Sequence, residues 1–255
     1  MLQLPSYETL FNQLDEIDPV QLADVLRTTR RELANSLYEP LLTCYRRLGD
    51  HDYRFNAEQI ARRSLRNTCL DYLAALGTDE VRELALRQYR DADNMTDRLA
   101  ALTALADGPD GRQVMAEFAA EWGEHPLVMD KWFATVARSS TADTLARVRE
   151  LTGHPAFSWA TPNRVAALVL TFCFENPRHF HAADGSGYRF AAEQILRVDE
   201  VNPQVSARLA GSLGSWRKVD QARRELMREA LQKVAQHSGL SLEASEVVTA
   251  LRLPE

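Results

Sequence analysis

The stretch from Asn56 to Leu76 reads NAEQIARRSLRNTCLDYLAAL and decides the fold class. Its apolar and small residues recur every three or four positions, the spacing of one helix face: Ala57, Ile60, Ala61, Leu65, Thr68, Cys69, Tyr72, Leu73 and Leu76. The charged residues fall on the opposite face, where we expect water: Glu58, Arg62, Arg63 and Arg66. Asn56 supplies a polar cap before the first turn. The pattern predicts a long amphipathic helix.

The same helical pattern extends over the rest of the chain. The 255 residues include 34 Leu and 34 Ala, the two best apolar helix formers, against 11 Gly and 10 Pro. A second amphipathic helix is predicted from Trp216 to Val234. A polar residue followed by proline is a strong helix start, and it occurs at Asp18-Pro19, Thr161-Pro162, Asn176-Pro177 and Asn202-Pro203. Weaker caps are predicted at Asn56, Thr78, Asn94, Asp110, Thr141 and Ser241.

The chain shows no alternating strand pattern, and its predicted helices of about 12–20 residues are joined by short links. We therefore predict an all-α fold in which antiparallel helix pairs stack as a HEAT/armadillo-like superhelical solenoid. Residues 1–255 are expected to form a single domain. The small-residue loop FHAADGSGY at 180–188 interrupts the helices, and Gly185 and Gly187 permit positive φ there.

Charge and cysteine content exclude several classes of function. The net charge of −6 repels phosphate backbones and anionic lipid, so we expect neither a nucleic-acid nor a membrane partner. No segment has the roughly 20 apolar residues that span a bilayer, and the N-terminus does not resemble a signal peptide. Three cysteines without C-x-x-C spacing favour a reducing, cytoplasmic setting.

No catalytic or metal-binding motif is complete in this sequence, so we predict no catalytic residue, metal ligand or cofactor in the chain. His179, His181 and Asp184 lie close together in sequence, but ordinary loop packing explains them better than a zinc site does. The three cysteines fall in apolar stretches and are interpreted as core residues: Cys44, Cys69 and Cys173. The arginine groups at 27–31 and 62–66 are interpreted as solvated helix faces.

Gln204 and Arg208 are four residues apart in the helix that begins after Asn202-Pro203, so their side chains share one face. An amide beside a guanidinium can bind a peptide backbone and a carboxylate, and arginine binds carboxylates in a bidentate geometry. The residues alone also allow a plain solvated face, so both interpretations stay open at this point.

Several stretches in a fixed order resemble one known family. They read DEIDP at 15–19, NMTDRLAAL at 94–102, LVMDKWF at 127–133, PNR at 162–164, FHAADGSGY at 180–188, NPQV at 202–205 and RL at 208–209. In this order they resemble the C-terminal helical domain of bacterial aminopeptidase N, a zinc gluzincin family. The resemblance runs over nearly the whole chain.

The resemblance implies that the chain is one domain of a zinc metallopeptidase that removes N-terminal amino acids from peptides. The zinc site would lie in a preceding catalytic domain, which would be this chain's partner within the same polypeptide. This chain would form the wall of the active-site chamber, control access and position peptide substrates, and it would be inactive alone. Gln204 and Arg208 would face the substrate, and Arg164 is a weaker candidate for substrate binding.

The sequence departs from that family at one position. Relatives read Asn-Arg-x-Arg where this chain has Asn163-Arg164-Val165-Ala166, so a second basic side chain is absent. The alternative from another class is a free-standing helical-repeat module that binds a protein partner on its concave side. An H-E-x-x-H motif encoded upstream of Met1 would favour the peptidase.

Overall fold

The computed structural model describes residues 4–49 and 53–251, and within these residues the chain is all-α, as predicted. The described part contains no strand beyond one isolated parallel bridge between Ile17 and Val219. The helices pack most densely within two compact units of the chain. A single domain over residues 1–255 stays a prediction.

The unit from Asp24 to Trp122 is built from consecutive helices that pack on one another. Its helices are α2 (Pro19–Ser36), which begins just before the unit, α3 (Tyr38–Arg47), α4 (Ala57–Ala74), α5 (Asp79–Asp91), α6 (Met95–Leu105) and α7 (Gly111–Trp122). Helix α3 packs on α4, α4 on α6, and α5 on α6. Helices α3 to α6 therefore each pack on a helix close to them in sequence.

The other unit joins the residues up to Ala23 with those from Gly123 onward. Its elements are α1 (Tyr7–Gln13), α8 (Pro126–Arg138), α9 (Thr144–Leu151), α10 (Pro162–Val165), a π-helical segment (Ala166–Leu170), α11 (Thr171–Glu175), α12 (Pro177–Phe180), α13 (Ser186–Asp199), α14 (Pro203–Ala210), a 3-10 segment (Gly211–Arg217), α15 (Gln221–Ala235) and α16 (Leu242–Leu251). Helix α14 packs against α13 and α16, and α8 packs against the π-helical segment and α11.

Most of the predicted caps are confirmed. The side chains of Asn56, Asn94 and Asn202 each accept a hydrogen bond from the backbone N–H three residues later. The prediction at Thr141 is wrong, because α9 begins at Thr144 and Thr141 lies in the turn before it. A short polar residue in the sequence therefore predicts a helix start correctly when a regular first turn follows it directly.

The prediction of which residues form the buried face of α4 is only partly confirmed. Cys69, Tyr72 and Leu73 are buried, whereas Ile60 is 45% and Leu65 47% exposed. Arg66, expected in water, lies partly buried with its guanidinium 4.9 Å from the Tyr45 ring centroid. Because a guanidinium is attracted to the face of an aromatic ring, Arg66 points inward rather than into water.

The helix predicted from Trp216 to Val234 is broken near its start. Trp216 belongs to the 3-10 segment, and α15 begins at Gln221 because the Asp220 carboxylate accepts from the N–H of Arg223 at 3.1 Å. The Arg223 side chain lies 3.2 Å from the Asp18 carboxylate and 2.6 Å from that of Asp220. An ion-paired cap therefore interrupts an otherwise helical pattern.

The loop at 180–188 turns as predicted, and its histidine is structural. Gly185 adopts a φ of 69°, in the left-handed region that favours glycine. His181 is buried, and its Nδ1 lies 2.8 Å from the Tyr188 hydroxyl. Burial, aided by the charge of Arg223, lowers the pKa of His181 to about 3. The imidazole is therefore neutral at physiological pH and belongs to the core.

Candidate functional site

Gln204 and Arg208 lie on α14 as predicted, and both side chains are exposed. The Asn202 side chain caps the helix through the N–H of Val205 at 3.1 Å, which sets the direction of the first turn. Because Gln204 and Arg208 are four residues apart, both polar side chains lie on one face of the helix. Of the two, Arg208 lines a cavity.

This cavity has a volume of 540 Å³, within the range of small-ligand sites. One wall is a face of α8, formed by Leu127, Asp130, Lys131, Ala134 and Arg138. The facing wall is formed by residues of α10, the π-helical segment and α11: Asn163, Ala166, Ala167, Leu170, Thr171, Phe174 and Glu175. We call this space, completed by Arg208, the α8–α11 cavity.

One continuous stretch lines this whole wall. Its residues from Asn163 to Glu175 recur every three or four positions, which is the spacing of one helix face. Between Ala166 and Leu170 the stretch forms a π-helical turn, and the Thr171 hydroxyl and N–H both donate to the Ala166 carbonyl. Such π-bulges are frequent at functional sites.

The charges of the cavity do not cancel evenly. The Asp130 carboxylate lies 3.1 Å from Nε of Arg164, and the Glu175 carboxylate accepts from Nε of Arg138 at 2.7 Å. Both acids thus have an arginine partner. Lys131 and Arg208 make no ion pair with any other described residue, so two uncompensated cations face the cavity.

Arg164, the third predicted residue, points into the protein. It is 6% exposed, and its guanidinium pairs with Asp130, donates to the Pro126 carbonyl at 3.2 Å and lies 5.2 Å from the Phe133 ring centroid. Its contacts hold α10 against the start of α8. The departure from the family at Ala166, in contrast, lies on the cavity wall itself.

Sequence reasoning missed three residues of this site: Leu127, Lys131 and Phe174. Leu127 is 75% and Phe174 47% exposed, which is unusual for large apolar side chains. The spacing of Leu127, Lys131 and Ala134 on α8 could have indicated a shared face. Phe174 lies eleven positions after Asn163, about three turns of a 3.6-residue period, so the same spacing argument could have indicated it.

The unit Asp24–Trp122 has a larger, polar cavity of 720 Å³, whose floor is a structural network. The buried Asp97 carboxylate accepts from Asn67 at 2.8 Å and from the side chain of Asn94 at 3.0 Å. Gln88 donates to Asn67 at 2.9 Å and to the Asp97 carbonyl at 2.8 Å. The Asn94-to-Asp97 motif is therefore accounted for by capping of α6.

The other residues that could take part in chemistry are hydrogen-bonded within the fold or at least partly buried. Asp184 accepts from the N–H of Ser186 at 2.9 Å at the start of α13. Cys69 and Cys173 are buried as predicted, burial raises the pKa of Cys69 to about 12, and Cys44 is half-buried. No group of three or more His, Cys, Asp or Glu that could hold a metal lies within residues 4–49 and 53–251.

Among the helices of the described residues, none combines the length and apolar character needed to cross a membrane.

The stacked helices define an armadillo-type (ARM) repeat protein, and comparison with known proteins agrees. Residues 1–252 match the family described as a domain of unknown function (DUF3458_C) with ARM repeats. The chain belongs to this family. The predicted fold class, an all-α solenoid of HEAT/armadillo type, is therefore confirmed.

The similar proteins are aminopeptidases, which confirms the resemblance seen in the sequence. The chain is 39% identical over 251 residues to aminopeptidase N of Escherichia coli, and 35% identical over 252 residues to that of Caulobacter vibrioides. Each match covers 98% of this chain but 29% of the relative. The chain therefore matches one domain, the C-terminal one, of those proteins.

A solved structure has the same fold. The chain superposes on aminopeptidase A of Legionella pneumophila, crystallised with aspartic acid, with a TM-score of 0.87 and 27% sequence identity. The match covers 98% of this chain and 30% of that protein.

Proposed function

We propose that this chain is the C-terminal domain of an aminopeptidase N, a cytoplasmic zinc enzyme that removes single residues from peptide N-termini. The domain forms part of the wall of the active-site chamber, controls access and positions the substrate. The α8–α11 cavity carries the proposal, because it joins exposed apolar side chains to unpaired cations, including Arg208. Peptide substrates and the catalytic domain of the same polypeptide are the proposed partners.

The chemistry of the peptide bond belongs to the catalytic domain. Zinc held there supplies a Lewis acid for the scissile carbonyl and an activated water. In this proposal the side chains of this chain bind and orient the peptide. Arg208 binds a carboxylate or carbonyl remote from the reacting bond, and Gln204 contacts the peptide near its N-terminal residue.

Arg164 acts in this proposal as a positioning residue. Its guanidinium compensates the Asp130 carboxylate and donates to the Pro126 carbonyl, and both partners belong to α8. Arg164 thereby leaves Lys131 and Arg208 as the cations that a peptide meets. Direct substrate contact by Arg164, the weaker expectation from the resemblance, would require the side chain to leave this pair.

In the full-length aminopeptidase, Arg208→Ala is expected to raise KM for short peptides about 5- to 20-fold and to lower kcat less than about twofold. A contact remote from the scissile bond is felt equally in the ground and transition states, which is why the effect falls on KM. Steady-state kinetics on a tripeptide measure both constants. Arg228→Ala, an exposed arginine on α15, is the matched control and should change neither. A fall in kcat at unchanged KM would contradict the assignment.

The 255-residue chain by itself is expected to bind no stoichiometric zinc and to hydrolyse no amino-acid anilide. Metal analysis after dialysis and an anilide assay test this directly. Mixing the chain with the separately produced catalytic domain should give a complex with altered peptide selectivity. Zinc binding together with hydrolysis by the chain alone would overturn the proposal, and absence of any complex would favour a free-standing interaction module.

A further inference from the structure

We propose that the polar cavity of 720 Å³ lined by α3, α4, α5 and α6 binds a free α-amino acid as its zwitterion. Arg66 and Arg87 bind the carboxylate, and Gln88 and Asp91 bind the ammonium group. The cavity belongs to the unit Asp24–Trp122 and shares no residue with the α8–α11 cavity. The source of the ligand rests on the proposed function, because removal of N-terminal residues releases free amino acids.

The hydrogen-bond network on the floor of this cavity ends in a buried acceptor. The Asn67 amide donates to the Asp97 carboxylate at 2.8 Å, so its Oδ1 is left to accept from Nε2 of Gln88 at 2.9 Å. The other Nε2 proton of Gln88 goes to the Asp97 carbonyl at 2.8 Å. Gln88 is 3% exposed, and its Oε1 has no partner among the described residues. A buried oxygen in this state favours a ligand that donates a hydrogen bond.

Arg66 supplies an unused donor beside the same aspartate. Its Nη1 lies 3.8 Å from the Asp97 carboxylate, which is too long for a hydrogen bond. Its Nε is buried and has no partner within residues 4–49 and 53–251. The donor of Arg66 and the acceptor of Gln88 thus both lie next to Asp97. A ligand that accepts at one group and donates at another satisfies both atoms.

One face of α5 adds an uncompensated charge of each sign. Arg87, Gln88 and Asp91 line the cavity, and their spacing of three and four residues places them on this face. Neither Arg87 nor Asp91 forms an ion pair in the part of the chain that the structure describes. Burial raises the pKa of the Tyr45 phenol, and the charges of Arg66 and Arg87 oppose that rise. Both guanidinium groups therefore lie near the same phenol, where one carboxylate can meet them.

The balance of charge favours a zwitterion over a simple ion. The charged lining residues are three arginines and three aspartates: Arg46, Arg66, Arg87, Asp91, Asp93 and Asp97. An inorganic anion would compensate an arginine but leave Asp91 without a partner, and a metal cation would leave Arg87 without one. A ligand that carries both charges compensates both, and hydrogen bonds to charged groups are the strong kind.

The spacing on α5 favours a single amino acid over a peptide. Helix positions four apart, such as Arg87 and Asp91, have Cβ atoms about 5–6 Å apart. A free amino acid carries its ammonium and carboxylate groups on one Cα, so the two charges stay close together. Each further residue of an extended peptide moves its terminal charges apart by about 3.3–3.6 Å.

The test is an NMR titration of the 255-residue chain with L-leucine, whose side chain suits the small apolar area of Leu84 and Ala92. L-leucine is expected to bind at least about 10-fold more tightly than N-acetyl-L-leucine, which lacks the ammonium group, or L-leucinamide, which lacks the carboxylate. The dipeptide Leu-Leu should also bind more weakly. The shifted amide signals should include those of α5.

Two variants of exposed residues assign each end of the ligand. Arg87→Gln should weaken binding of L-leucine about 5- to 10-fold and leave L-leucinamide unchanged. Asp91→Asn should weaken binding of L-leucine by a similar factor and leave N-acetyl-L-leucine unchanged. Arg90→Gln and Glu83→Gln, exposed residues of α5 outside the cavity lining, are the matched controls and should change nothing.

Absence of saturable binding of L-leucine up to about 10 mM would overturn this inference, as would equal affinity for L-leucine and its two derivatives. Equal or tighter binding of Leu-Leu would overturn the assignment to a single amino acid. The proposed function is tested separately by the KM effect of Arg208→Ala. Leucine binding without that KM effect would support the site but remove the proposed source of its ligand, whereas the KM effect without leucine binding would leave the chamber role standing.

Discussion

Replacement of Gly187 by alanine is expected to destabilise the chain by more than about 3 kcal/mol. A Cβ at this position would lie 2.6 Å from Cα of Phe180 and 2.7 Å from the carbonyl oxygen of His179. Both obstacles are backbone atoms, so no side-chain rotation can relieve them. The first turn of α13 would have to move away from α12, and the buried contact between Phe180 and Tyr188 would be lost.

Urea unfolding followed by circular dichroism measures this change, and Gly211→Ala is the matched control. Gly211 has a φ of −55°, and no atom lies within 4 Å of a Cβ built there. Alanine at this position is expected to be neutral or stabilising by up to about 1 kcal/mol, because it restricts the unfolded chain. If the free energy of unfolding of Gly187→Ala lay within about 1 kcal/mol of that of the original chain, the close approach of α12 and α13 would be wrong.

Replacement of Arg164 by methionine is expected to cost about 3–5 kcal/mol in the free energy of unfolding. The guanidinium is the partner of a carboxylate, Asp130, whose side chain is itself largely buried. Methionine keeps much of the packing against Phe133 but leaves that carboxylate uncompensated, and a buried charge without a partner is strongly unfavourable.

The comparison that isolates the ion pair uses two further variants. Arg149→Ala removes an exposed pair with Glu193, 2.7 Å apart, and a contact with the Phe190 ring, so we expect it to cost less than about 1.5 kcal/mol. The double variant Arg164→Met with Asp130→Leu should recover most of the loss, because no charge is then left buried. A loss for Arg164→Met no larger than that for Arg149→Ala would show that the pair contributes little.

These two predictions concern the scaffold of the site rather than its ligand contacts. Arg164 keeps Asp130 neutralised at the cavity wall, and Gly187 allows α13 to pack closely behind α12. The residues that we expect to meet a peptide, Lys131 and Arg208, are exposed and should tolerate substitution with little loss of stability. Stability and binding can therefore be measured on separate variants.

The helical fold could be predicted because its signals are local. A short polar side chain such as Asn94 or Asn202 accepts from the first turn of its own helix, so the start is encoded within four residues. Gly185 likewise adopts the positive φ that its position in a tight turn predicts. The same-face placement of Gln204 and Arg208 followed from helical spacing alone.

The cavity depends instead on contacts between residues distant in sequence, which spacing does not encode. Arg164 was expected to contact substrate, but a carboxylate 34 positions earlier draws its guanidinium inward. Phe174 lies at the cavity because α11 packs against α8, a helix distant in sequence. The sequence by itself determined the helices, their caps and the family. Only the tertiary structure decided which cations stay unpaired, because pairing depends on which acids the packing brings within reach.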